Sequence, residues 1–157
     1  MQNVITACQS CNVQRVVHVT SLGISAGAAS EWLRERWHSE QSLLRSGFDA
    51  TVIRPGYIVG VGGRGFDTIV SNVKKRITLN MGGDHPKMRT IAIDDLIYYL
   101  SGVLHEPRAY RQCYDVRNDD VLSINQLIDT TADIIEQGHP TTAIADVLTK
   151  GAAHASH

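Results

Sequence analysis

Three features of the chain predict an α/β fold built on a parallel sheet. Arg15-Val-Val-His-Val-Thr-Ser21 is a nearly continuous apolar, β-branched run, the kind of segment that forms a strand covered on both faces. A second run, Thr51 to Arg54, is separated from it by a helical pattern, and a strand–helix–strand order of this kind requires parallel strands joined by a right-handed crossover. The 157 residues, 43% of them hydrophobic, suffice for one packed domain without disulfides or a metal.

The elements follow in order. Val4, Ile5, Cys8 and Cys11 recur at helical spacing over residues 2–11, and Asn12 is a helix stop. The strand 15–21 comes next, then a small-residue stretch from Gly23 to Ala29 and a helix over 31–45. Ser30 is its candidate cap, Leu33, Trp37 and Leu44 its inward stripe, and Gly47 its stop. The strand 51–54 completes half of a Rossmann-like sheet. Gly60 to Gly65 reads as a glycine-rich loop, residues 66–75 as a helix with Ile69, Val70 and Val73 inward, and Thr90 to Ile93 as a short strand. Asp94 and Asp95 cap and charge the start of a helix carrying Leu96, Ile97, Leu100, Val103 and Leu104, which Pro107 ends. A strand at 112–116 and a helix opened by the capping box Ser123-x-x-Gln126 follow, with Gly138 beyond its end. One domain over 1–149 is expected, with a smaller C-terminal α+β part from about residue 77. The tail 150–157 has nothing to bury and is expected to be disordered.

Charge and cysteine usage exclude several classes. Fifteen basic against sixteen acidic residues give a net charge of −1, which offers no footprint for nucleic acid or an anionic membrane. No apolar run reaches the roughly 20 residues that span a bilayer, and the first residues lack a basic segment followed by an apolar one, so a soluble cytoplasmic protein is expected. Cys8-x-x-Cys11 has only Cys113 as a further thiol, and it lies late in a helix, where a thiolate is disfavoured. The seven His are scattered, and no metal site is assigned.

Four segments in order, Val13 to Gly23, Glu40 to Gly47, Ala50 to Gly60 and Met88 to Leu96, resemble the extended and atypical short-chain dehydrogenase/reductases, a group that includes epimerase/dehydratase-like and NmrA-like NAD(P)H-binding proteins. The resemblance runs from residue 1 to about 137 and places these segments in the late part of the family's Rossmann domain, so the early strands and their glycine-rich turn are expected to be missing. It implies NAD or NADP as cofactor, with Thr20, Ser21, Arg36, Arg54, Pro55, Gly56 and Tyr57 on the cofactor side. It also places a catalytic hydroxyl at Ser21. The family's tyrosine and lysine fall on Trp32 and Arg36, and an indole does not exchange a proton at useful pH. Tyr57, the phenol near the implied cleft, is the second candidate catalytic residue beside Ser21.

Gly60-Val-Gly-Gly-Arg-Gly65 spells G-x-G-x-x-G with Asp84 about twenty residues on. It is read as accidental, because Arg54-Pro55-Gly56 interrupts the run from strand to glycines and Asp84 lies in a turn. The expectation is a catalytically impaired protein of this type that acts through self-association, most simply a dimer, or through a complementing chain. The alternative is an active NAD(P)-dependent oxidoreductase or epimerase/dehydratase-like enzyme.

Overall fold

The computed structural model describes residues 1–77 and 87–150. They contain α1 (Gln2–Ser10), β1 (Arg15–Val19), α2 (Glu31–Leu44), β2 (Asp49–Pro55), β3 (Tyr57–Val59), α3 (Arg64–Lys74), β4 (Met88–Ala92), α4 (Ile93–Val103), a 3-10 turn at Pro107–Ala109, β5 (Gln112–Val116), β6 (Val121–Leu122), α5 (Ile124–Glu136) and α6 (Ala143–Lys150). The chain forms two compact units, Met1–Pro55 with Ile97–Val116, and Gly56–Leu96 with Arg117 onward. The division is not one cut near residue 77. β5, late in the chain, returns to β2, whereas the residues after it go to β4.

The first unit holds the parallel sheet β1-β2-β5. The two sequence-predicted strands are adjacent and parallel, as expected of a β-α-β unit. In β1 and β2 the even-numbered side chains point to one face, where Ala50 packs with Ile5 of α1, Leu43 of α2 and Phe48, with Val16 against them. Odd-numbered ones point to the other. There Thr51 Oγ1 donates to the Ala109 carbonyl at 2.6 Å, and Arg15 donates to the Leu104 carbonyl at 2.9 Å and to that of Val103. Arg15 also lies over the Tyr110 ring, 4.6 Å from its centroid. One cation thus receives the open carbonyl end of α4, where positive charge is favoured.

β1 departs from its expected burial. It ends at Val19, is only half-buried, and lies on the sheet edge with Val19 39% exposed. A strand reads as covered on both faces from its β-branching alone, but only a central strand is covered. In α2 the fully buried residues are Glu40 and Leu43, while Leu33, Trp37 and Leu44 are half-buried. Ser30 holds the N-cap position without a side-chain cap bond. α1 ends as predicted, in the Schellman pattern. Asn12 takes the left-handed conformation at φ 55°, its N–H donating to Gln9 and that of Val13 to Cys8.

The second unit contains β3-β4-β6, with β3 and β4 parallel and β6 antiparallel to β4. Its core joins Val59, Phe66 and Ile69 to Leu127, Ile134, Ile144 and Leu148. Burying each such side chain contributes about 1.5–3 kcal/mol, so α3, α5 and α6 are held mainly by these contacts. β3 follows β2 after Gly56 alone, and β6 is two residues long; both are too short for a periodic signal, and α6 was likewise absent from the sequence expectations. α3 starts at Arg64, inside the predicted glycine loop. α4 begins at Ile93 directly after β4, which places Asp94 and Asp95 in the first turn instead of at the cap. Only Leu96 of its predicted stripe is buried; Ile97 is 52% exposed. The Ser123–Gln126 capping box is present, with N–H···O distances of 3.2 and 2.8 Å. Asp84 and the tail 151–157 lie outside the described residues.

Candidate functional site

The end of β1, the middle of α2 and the end of β2 meet at one carboxylate. Glu40 lies on the inward face of α2 at the phase of Leu33, Trp37 and Leu44, and it is 0% exposed. Thr20 Oγ1 donates to Glu40 Oε1 at 2.6 Å. Arg54 Nε donates to Oε1 at 3.2 Å and Oε2 at 3.0 Å, and its Nη2 also pairs with Oε2. This fork geometry is what guanidinium and carboxylate favour when withdrawn from water. The hydrogen bond to Glu40 holds the Arg54 guanidinium above its ordinary pKa, and burial works against that. Asp115 of β5 stands 4.0 Å from Arg54 Nη1.

Thr20 and Arg54, assigned to the cofactor from sequence, are therefore brought together by a residue that sequence reasoning used only as a landmark. The missed signal was the phase of Glu40 within an apolar stripe. A buried acid at such a position requires a partner, and Arg54 at the end of the next strand supplies it.

Beside the clamp, Arg36 stacks on the Trp32 ring at 4.0 Å from the centroid. The tyrosine–lysine positions implied by the resemblance are thus occupied by a cation–π pair. Ser21 Oγ and Arg36 Nε are buried and hydrogen-bond to no described residue. His18, one residue pair back along β1, has its imidazole pKa lowered by burial, with Glu40 opposing and Arg36 reinforcing the shift. The shift favours the neutral imidazole. Burial pushes the Cys113 thiol up, away from the thiolate form.

Pro55 closes β2 opposite Val116, and its carbonyl accepts from the Leu22 N–H at 3.0 Å. The remaining predicted residues belong to the second unit. A Cβ on Gly56 would run into the Arg89 carbonyl, so glycine there serves the close approach of β3 to β4. Tyr57 is half-buried against the first turn of α3, where a Cβ on Gly65 would lie 2.9 Å from its hydroxyl, and burial raises its pKa. In the glycine-rich loop the Gly62 N–H donates to Asp67 Oδ1 at 3.2 Å. Among the described residues no group of three or more His, Cys, Asp or Glu could hold a metal, and no helix is long and apolar enough to cross a membrane.

The arrangement of the sheet and its flanking helices matches solved structures of nucleotide-sugar enzymes. With dTDP-glucose 4,6-dehydratase of Bacillus anthracis in complex with NAD, the TM-score is 0.69 at 14% identity, over 88% of this chain and 51% of that one. With the Thermus thermophilus UDP-glucose 4-epimerase complex with NAD it is 0.64 at 15% identity, over 86% and 52%. The fold is of the epimerase/dehydratase type. Epimerase Mth375 of Methanothermobacter thermautotrophicus has the same fold, with a TM-score of 0.68 at 11% identity, over 88% of this chain and 49% of that one. Among curated proteins, the chain is similar to the mitochondrial NADH dehydrogenase [ubiquinone] 1 alpha subcomplex subunit 9 of Arabidopsis thaliana. It is 24% identical over 127 residues, 80% of this chain and 32% of that protein. No family model matches. The chain thus spans about half of the solved epimerase/dehydratase-type chains and about a third of the curated relative.

Proposed function

We propose that this chain is a non-catalytic module of the epimerase/dehydratase-type fold, cytoplasmic, which acts by associating with another chain and most simply with a second copy of itself. One observation carries the reading: the corner that would exchange a proton holds a stacked Trp32–Arg36 pair beside a Thr20 hydroxyl already bound to Glu40. Indole and guanidinium keep their protons at neutral pH, and a hydroxyl donating to a carboxylate is not free to act on a substrate. The donors present fit a nicotinamide dinucleotide only in part. Ser21 and Arg36 offer a hydroxyl and a cation, but the glycine-rich loop directs its Gly62 N–H to Asp67.

Two measurements test the proposal together. NADH or NADPH at millimolar concentration is expected to leave the unfolding temperature unchanged, since only a ligand of the folded state raises it. Sedimentation at micromolar concentration is expected to give a mass above that of the monomer. A clean monomer stabilised by either cofactor would overturn the reading.

A second reading, an NAD(P)-dependent oxidoreductase or epimerase/dehydratase-like enzyme, is favoured by Ser21, whose buried Oγ lacks a described partner at the carboxyl end of a strand, where open α/β sheets take ligands. Turnover lost on Ser21→Ala or Tyr57→Phe would establish it.

A further inference from the structure

The last turn of α1 carries two free thiols, Cys8 and Cys11, three residues apart. Side chains at this spacing are neighbours on one helix face, with Cβ atoms about 5–6 Å apart. Backbone hydrogen bonds of the turn between α1 and β1 hold that spacing. The Cys11 N–H donates to the Ala7 carbonyl at 3.1 Å, and the Val13 N–H closes the turn on the Cys8 carbonyl at 2.9 Å. Cys8 is half-buried and packs on the cluster of Ile5, Leu43, Phe48 and Ala50, whereas Cys11 is exposed. One thiol is anchored and the other is open to solvent.

The spacing discriminates between the two uses of a thiol pair. A disulfide needs Cβ atoms about 3.5–4.5 Å apart, closer than this helical turn holds them. Two thiolates on opposite sides of a metal ion, with metal–sulfur bonds of about 2.3 Å, place their sulfurs about 4.6 Å apart, which suits neighbours one turn apart on a helix. Among the described residues no third His, Cys, Asp or Glu completes a metal-holding group, so the four-ligand shell of a structural zinc is not formed. The carbonyl end of a helix favours a cation. We propose that Cys8 and Cys11 together bind one soft monovalent cation, Cu(I) being the biological example, as a two-coordinate bis-thiolate. Each S–H gives its proton to solvent as a sulfur–metal bond forms, so two protons leave for each ion bound and no oxidation state changes. The site stands apart from the association reading above, because Cys8 and Cys11 belong to neither the Glu40 clamp nor the Trp32–Arg36 pair.

The probe is Cu(I) held by excess bicinchoninate, titrated without oxygen into the reduced full chain. One Cu(I) per chain is expected to leave the coloured complex, and Zn(II) is expected not to compete for it. Cys8→Ser and Cys11→Ser should each weaken uptake by about a hundredfold or more, with circular dichroism unchanged, because each removes one of two soft ligands. Cys113→Ser should leave uptake as it is. Uptake that survives both Cys8→Ser and Cys11→Ser, or that is lost with Cys113→Ser, overturns the site. A stoichiometry of one ion per two chains overturns the two-coordinate assignment. Oxidised glutathione supplies a separate check on the geometry: a folded chain that closes an intramolecular Cys8–Cys11 disulfide, seen by mass as the loss of two hydrogens, would show that the turn does not hold the sulfurs apart, and would overturn the proposal.

Discussion

Glu40 pairs with Arg54 and has no exposed surface, so its loss will be felt more than that of any other carboxylate in the first unit. Removing one partner of a buried pair leaves the other uncompensated, which typically costs about 3–5 kcal/mol. Glu40→Ala is therefore expected to lower unfolding stability by that amount, whereas Thr20→Val, which leaves the ion pair in place, should cost about 1 kcal/mol. Urea titrations of the two variants check the ratio. His18 supplies a pH dependence of determinate sign. Its folded pKa lies below the ordinary 6.5, so the unfolded chain binds the proton more readily. The contribution of this group is complete above about pH 6.5 and is lost as the pH falls below it. His18→Gln should flatten the decline in urea midpoint between pH 7.5 and 5.5, and an identical decline in both proteins would show that other groups cause it. At this scale the sequence disclosed the types of residue at the site but not their pairings. Thr20 and Arg54 were legible as residues at strand ends, but their joint use by Glu40 depends on which helix covers which strands.

α1 to α5 were the most legible elements because each carries its own periodic stripe and its own stop, whereas α6 and the short strands β3 and β6 were missed. α5 illustrates this, with its capping box read from Ser123 and Gln126 and its end at Gly138, φ 75°. Ser123→Ala should cost about 1 kcal/mol. β3 was hidden because Gly56 and Tyr57 follow a proline, which usually marks the end of a strand run, and because its three residues pair with a strand 33 positions on. α3 ends on an unusual residue. Arg76 holds the left-handed position of a Schellman motif at φ 53°, its N–H donating to Val73 and that of Ile77 to Asn72. A non-glycine residue is disfavoured there by roughly 1–2 kcal/mol, and the greater freedom of glycine in the unfolded chain offsets part of that. Arg76→Gly is accordingly expected to raise stability by up to about 1 kcal/mol, read from the urea midpoint. A loss of stability would mean that the guanidinium makes a stabilising contact of its own.

At the scale of the whole molecule, the fold class and the parallel β1–β2 pair were legible, while the interleaving of the two units was not. Nothing local in Gln112 to Val116 says that it returns to β2 instead of joining β4. The consequence of that return is kinetic. β1, α2 and β2 are contiguous and can pair as soon as residue 55 has been made, but β5 reaches the other side of β2 only after residues 56–111 have been threaded elsewhere. Until then β2, the most deeply buried strand of the sheet, presents a sticky margin, and closing so long a loop is slow relative to the local steps that precede it. Refolding from denaturant should therefore show a fast phase that is insensitive to Arg111 and Gln112 and a slow one that a chain stopping at Leu96 never completes. Such a shortened chain would be left with an open β2 flank and would aggregate, while synthesis on a ribosome, which delivers the segments in order, gives the full chain its best route to the native state.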